Sequence, residues 1–160
     1  MKKLLIVLIL TLSATLNAQS SAKDELAIIQ SSYGKSKTDL INQYMALSPE
    51  QTTAFQPVYD SYEAERKVLG QKKIQIIDDY AAKYATLTDA DADQLTKANL
   101  KNNLDVEKLY SKTYEKAKKA IGATNAAKFI QLEVYLQTSI REEIQDSIPF
   151  IGEIDKTKLN

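Results

Sequence analysis

Residues that interrupt regular structure are scarce in this chain, and this limits what it can fold into more than any other feature. Between positions 21 and 148 there are only three glycines and two prolines. A sheet of short strands needs frequent turns, which are built largely from such residues. The long stretches between them are rich in Ala, Leu, Lys, Glu and Gln, which favour helices. The sequence therefore predicts an all-α fold.

The N-terminus has the composition of a secretory signal peptide. Lys2 and Lys3 precede an apolar run, Leu4–Leu16, and the small residue Ala18 precedes the predicted cut. The run is shorter than the roughly 20 residues that span a bilayer core, so a retained anchor is the less favoured alternative. No cysteine follows that could carry a lipid. We expect a cleaved signal peptide, no membrane insertion after cleavage, and a periplasmic or secreted protein.

The predicted organisation is a signal peptide at 1–18, one helical domain at 19–148 and a weakly ordered tail at 149–160. Stop signals near Ser48, Leu87 and Gly122 divide the domain into four helices. The predicted helices span about 21–46, 50–86, 89–121 and 124–147. Short loops make consecutive helices antiparallel, and the two longest reach about 50 Å at 1.5 Å per residue. The fold class predicted is therefore four helices in elongated antiparallel hairpins.

Two of these helices begin with the same signature. Leu47-Ser48-Pro49-Glu50-Gln51 places Ser48 at an N-cap, with Gln51 three residues later to complete a capping box. Leu87-Thr88-Asp89-Ala90-Asp91 repeats the arrangement with Thr88 as the cap and Asp91 in the third position. The leucine before each cap can pack on the first turn.

Apolar spacing also predicts which helix faces are buried. In the first helix the predicted buried face includes Leu40, Tyr44 and Leu47, and Pro57 is expected to bend the second helix. Phe129–Leu136 is the most apolar octet after the signal peptide, and we expect it to be helical and buried on two sides.

Composition argues against an enzyme and against several binding classes. The chain has no histidine and no cysteine, so histidine-dependent or cysteine nucleophilic catalysis is excluded. Asp89, Asp91 and Asp93 have the opening spacing of a calcium loop, but Gln94 and Leu100 stand where such a loop needs glycine and glutamate. Removing Lys2 and Lys3 leaves 19 basic and 21 acidic residues, which gives nucleic acid no basic surface. We expect no cofactor, no metal and no nucleic-acid partner.

Nine tyrosines and three phenylalanines stand in a chain without tryptophan. Phe55, Tyr59 and Tyr62 share one helical stripe and form a candidate partner-binding surface. The alternative is that they pack in the core, with tyrosine hydroxyls reaching its edge, and residue statistics favour that reading.

The Leu47–Gln51 segment resembles the LTxxQ motif of the Spy/CpxP-like periplasmic proteins, and Leu87–Asp91 is similar to a second copy with aspartate for glutamine. The segment Phe55-Gln56-Pro57-Val58-Tyr59 also resembles the F-x-P-x-Y stretch of short exported proteins labelled as sigma-factor sensors. The first resemblance implies an elongated, curved helical homodimer that shields unfolding clients without ATP or reports envelope stress.

The sequence thus leaves two functional hypotheses open. One is an exported, ATP-independent, chaperone-like or envelope-stress-responsive protein that binds unfolded or partner polypeptides. The other is a dedicated structural or regulatory partner of one envelope or sensor protein, without general chaperone activity.

Overall fold

The computed structural model describes residues 35–149 and residue 151, apart from the side chains of residues 145–147. The predicted signal peptide, the start of the predicted first helix and most of the predicted tail lie outside these residues. The described part contains four α-helices and a short 3-10 turn, with no strand between residues 35 and 149. They are α1 (Lys37–Met45), α2 (Pro49–Lys83), the turn Tyr84–Thr86, α3 (Asp89–Ile121) and α4 (Ala123–Ser147). The all-α prediction is confirmed.

Helices α2 and α3 form a long antiparallel hairpin. An ion pair joins Lys83 to Asp91 near the turn, and Glu65 meets Lys112 farther along. Helix α2 has 35 residues and continues through Pro57 without interruption, which corresponds to about 52 Å. Whether Pro57 bends the axis stays a prediction.

Helix α4 folds back on α3 at Gly122 and therefore runs parallel to α2. Tyr62 of α2 bonds to Glu133, and Tyr80, farther along α2, bonds to Pro149, just after the end of α4. Contact positions thus increase along both helices in the same direction. Gly122 has a φ of 82°, a left-handed value that glycine tolerates best, and its backbone N–H bonds to Lys118.

Helix α1 is short and packs on only one half of this three-helix assembly. We call that half, which contains the Gly122 turn, the proximal half. The distal half ends at the α2–α3 turn. All the buried hydrophobic side chains of the described residues lie outside the span from residue 63 to residue 108, which forms the hairpin's distal part. They are Ile41, Met45, Phe55, Tyr62, Leu109, Tyr110, Ala117, Ile121, Ala126, Phe129, Leu136 and Ile140. The core is therefore concentrated where α1 adds a fourth helix.

The first helix differs from the prediction in its start and in its face. Ser36 has extended backbone angles and its Oγ accepts a hydrogen bond from the Asp39 N–H at 3.2 Å, so α1 begins at Lys37. The buried residues of α1 are Lys37, Ile41 and Met45, whereas the predicted face residue Tyr44 is exposed. A buried ionic contact of Lys37, described below, accompanies this orientation.

The apolar octet in α4 is helical as predicted, but the expectation of burial on two sides is wrong. Phe129 and Leu136 are buried, while Val134 and Tyr135 are 43% and 59% exposed. The fully buried residue between them is Glu133. The hydropathy pattern did not predict that Glu133 is buried, because its burial depends on charged and hydrogen-bonding partners on other helices.

Candidate functional site

Both predicted capping boxes are present. At α2 the Gln51 N–H donates to Ser48 Oγ, and the Ser48 N–H donates to Gln51 Oε1, both at 3.2 Å. At α3 the Asp91 N–H donates to Thr88 Oγ1 at 3.2 Å, and the Thr88 N–H donates to Asp91 Oδ2 at 3.4 Å. Each box satisfies N–H groups that a helix start leaves without intrahelical partners.

The two leucines that precede the caps pack differently. Leu47 packs against the proximal core, whereas Leu87 lines a cleft in the distal half.

Hydrogen bonds from Lys83 and from Thr88 lower the pKa of Asp91 to about 2. The motif residues are thus structural elements of the two helix starts.

The stripe of Phe55, Tyr59 and Tyr62 does not form an exposed partner-binding surface. Phe55 and Tyr62 are 5% and 1% exposed, and Tyr59 is half-buried. All three rings surround Phe129, with centroid separations of 5.0 to 6.0 Å and edge-on geometry. The stripe instead belongs to the core, because α4 packs on the face of α2 that carries it. The packing alternative is therefore the one observed.

A cluster of charged side chains is buried where α1, α2 and α4 meet. Lys37 from α1 lies 2.5 Å from Glu63 Oε1 of α2 and 2.9 Å from Glu133 Oε2 of α4. The Tyr62 hydroxyl donates to the same Glu133 oxygen at 2.6 Å, and Arg66 Nε donates to Glu63 at 3.1 Å. Lys37 is 4% exposed and Glu133 is fully buried. The cluster holds α1 against the two longer helices.

The electrostatics of this cluster follow from its burial. Burial alone would raise the pKa of Glu63, but Lys37 and Arg66 outweigh that effect and lower it. Burial, followed by the charge of Glu133, raises the pKa of Tyr62 far above its usual range. Glu133 Oε1 accepts no hydrogen bond from any described residue. A buried ion pair with one unsatisfied oxygen is costly if broken and is weak evidence of net stabilisation.

Sequence reasoning missed this cluster. Its members come from three helices, and Lys37 and Glu133 are 96 positions apart. One signal was available: Lys37, Ile41 and Met45 recur every fourth residue, and a lysine in line with two apolar residues suggests a buried charge.

The distal half presents apolar side chains to its surroundings. Val68, Leu100 and Leu104 are 63%, 61% and 54% exposed. Leu100 and Leu104 are one helical turn apart on α3, on the side opposite the buried Asn102. We call Val68, Leu100 and Leu104 the hairpin leucine–valine set. These residues were not identified from the sequence, because nothing in their spacing distinguishes them from core positions.

A cleft of about 430 Å³ lies between α2, α3 and α4 in the same half. Ile76, Tyr80, Leu95, Ile144 and Ile148 are among its apolar walls. The Tyr80 hydroxyl donates to the Pro149 carbonyl at 2.9 Å and ties the end of α4 to the hairpin. We call this space the distal cleft.

The described residues contain no group of three or more His, Cys, Asp or Glu side chains arranged to hold a metal ion. Across the same part of the chain, none of the helices has the length and apolar character needed to span a bilayer. Comparison of the chain with protein-family models gives no match, and comparison with curated proteins and with solved structures gives none either. The resemblance to Spy/CpxP-like proteins therefore stays an interpretation of short motifs.

Proposed function

We propose that this protein is an exported, periplasmic or secreted binding protein that holds unfolded or partner polypeptides by apolar contact, without ATP and without catalysis. The observation that carries the proposal is the distal half of the α2–α3 hairpin. Between residues 63 and 108 no hydrophobic side chain is buried, and the hairpin leucine–valine set is more than half exposed. Leu100 and Leu104 lie one helical turn apart on α3, and neighbouring exposed apolar side chains commonly mark an interaction site.

The geometry supports a broad rather than a shaped contact. The exposed set lies on the outer sides of long helices and has exposed, charged neighbours such as Lys97 and Lys101, whose ion pairs are within α3. Such a surface can engage many extended apolar segments weakly, as a holding protein requires. The resemblance to Spy/CpxP-like proteins agrees with this proposal and with a role in envelope stress.

The test is suppression of aggregation of several unrelated unfolding proteins at equimolar ratio, without nucleotide. Leu100→Ser and Leu104→Ser should weaken suppression and leave the melting temperature nearly unchanged, because both side chains are exposed. Gln94→Ser on the same helix is the matched control, since Gln94 is exposed and polar. Leu109→Ser should instead lower the melting temperature, because Leu109 is buried.

If the wild-type protein does not slow aggregation of any client, the general holding function is wrong. Retention of one envelope protein in a pull-down, lost in Leu100→Ser but not in Gln94→Ser, would then favour the dedicated-partner hypothesis.

A further inference from the structure

The distal cleft separates polar from apolar residues along all three of its helices. On α2, Lys73 is followed toward the hairpin turn by Ile76 and Tyr80. On α4, Arg141 is followed toward the same end by Ile144. Because α2 and α4 run in parallel, the two cations stand at one level and the apolar residues at the next.

Helix α3 repeats this order although its chain direction is reversed. Asn103 and Asn99 line the cleft at the level of Lys73, and Leu95 and Ala92 line it closer to the turn. Lys73 Nζ donates a hydrogen bond to Asn99 Oδ1, so Lys73 of α2 and Asn99 of α3 lie at the same height in the cleft. The cleft therefore has one polar end and one apolar end.

The polar end is cationic. Among the described residues that line the cleft none is acidic, whereas both Lys73 and Arg141 are present. The pKa of Lys73 is lowered, first by burial and then by the charge of Arg141. Two neighbouring cations with amide side chains beside them favour an anionic oxygen ligand, and arginine binds carboxylates in a bidentate manner.

Two further buried amide groups lie near these residues in the sequence of α3 and α4. Asn102, adjacent to Asn103, is 2% exposed and its Oδ1 accepts no hydrogen bond from a described residue. The Nε2 of Gln137, one turn before Arg141, is also buried and donates no hydrogen bond to a described residue.

We infer that the distal cleft binds a single-chain carboxylate amphiphile, with its carboxylate at Lys73 and Arg141 and its acyl chain between Ile76, Tyr80, Leu95 and Ile144. The volume of about 430 Å³ lies within the range of small-ligand pockets, which commonly form between helices of a bundle. From Arg141 to Ile148 the cleft extends seven residues along α4, or about 10 Å, which suits a medium-length acyl chain. A whole helix does not fit in this volume. This inference is independent of the proposed function, which uses the outer side of the hairpin.

The test is calorimetric titration of the mature protein with dodecanoate below its micelle concentration. We expect saturable binding with one site per chain, and about tenfold weaker binding of dodecanol, which lacks the charge-assisted hydrogen bonds. Binding should strengthen about fourfold for each methylene from octanoate toward dodecanoate until the cleft is filled. Equal affinity for dodecanol, or no saturation, would overturn the inference.

Variants locate the site. Arg141→Gln and Lys73→Gln should each weaken dodecanoate binding about tenfold, whereas Lys112→Gln, whose side chain pairs with Glu65 outside the cleft, should not change it. Ala92→Leu keeps a helix-forming residue and fills the cleft, so it should abolish binding while helix content by circular dichroism is retained. Binding unaffected by all three cleft variants would place the ligand elsewhere and refute the assignment.

The alternative ligand for the distal cleft is a polypeptide segment with apolar and acidic side chains. If an extended peptide with apolar residues and one glutamate binds in an Arg141-dependent manner and dodecanoate does not, the amphiphile inference is wrong and the cleft is a peptide site. The aggregation assay with Leu100→Ser is read separately, so failure of either proposal leaves the other interpretable.

Discussion

Replacement of Lys37 by methionine is the most direct test of how α1 is held. The substitution keeps the length and much of the volume of the side chain but removes the cation that lies 2.5 Å from Glu63 and 2.9 Å from Glu133. Loss of one partner from a buried ion pair typically costs 3–5 kcal/mol, because the remaining charge stays buried. Glu63 keeps Arg66 and Glu133 keeps the Tyr62 hydroxyl. We therefore expect a loss near the lower limit, about 3 kcal/mol.

The assay is urea unfolding followed by circular dichroism, with free energies compared at a common slope. Lys112→Met is the matched control, since Lys112 also lies 2.7 Å from a glutamate but both partners are about half exposed. That exposed pair should contribute less than about 1 kcal/mol. Amide hydrogen exchange of α1, measured in parallel, distinguishes local release of this helix from global unfolding.

A second substitution isolates the pair. In Glu133→Gln the buried negative charge is gone, so adding Lys37→Met to it should cost at least about 1 kcal/mol less than in the wild type. Equal losses from Lys37→Met and Lys112→Met, or strictly additive losses in the double variant, would refute the assignment of Lys37 as a buried partner of Glu133.

Three further predictions concern the caps, acid and processing. Ser48→Ala and Thr88→Ala should each reduce the free energy of unfolding by about 1 kcal/mol in urea titrations, and losses below a few tenths at both would contradict the observed caps. The lowered pKa of Glu63 means that its ionised form stabilises the fold above the ordinary value of 4.5, and that this contribution is lost as pH falls through the lower folded value. Stability should therefore fall on acidification below about pH 4.5, and less steeply in Glu63→Gln. Mass spectrometry of the exported protein should find Gln19 at the N-terminus, and a full-length membrane-bound species would contradict cleavage.

The starts of α2 and α3 and the end of α3 could be predicted because their determinants are local, whereas the helix predicted to reach residue 86 ends at Lys83 and is followed by the turn Tyr84–Thr86. A capping box joins residues three apart, so Ser48 with Gln51 and Thr88 with Asp91 are sufficient to begin a helix wherever the rest of the chain lies. Gly122 ends α3 by a local backbone conformation in the same way. The α1 start at Lys37 was missed, although Ser36 and Asp39 form a similar local signal, because the apolar spacing continued across it.

Burial was predicted less well, since it depends on which helix faces meet. The spacing of Phe55 and Tyr62 allowed either a binding surface or a core, and residue statistics only favoured the core. Only the parallel placement of α4 on α2 decided that they surround Phe129. The hairpin leucine–valine set shows the converse, because these apolar residues remain exposed where no helix of the described part covers them.

The sequence by itself determined that the described part of the chain is helical, where α2 and α3 begin and where α3 ends, because hydrogen bonds within one or two turns fix these features. The tertiary structure alone decided that Glu133 is buried with Lys37, and that Lys73 and Arg141 share one cleft. Charge burial depends on partners from other helices, and no pattern within a single helix specifies a partner 96 positions away.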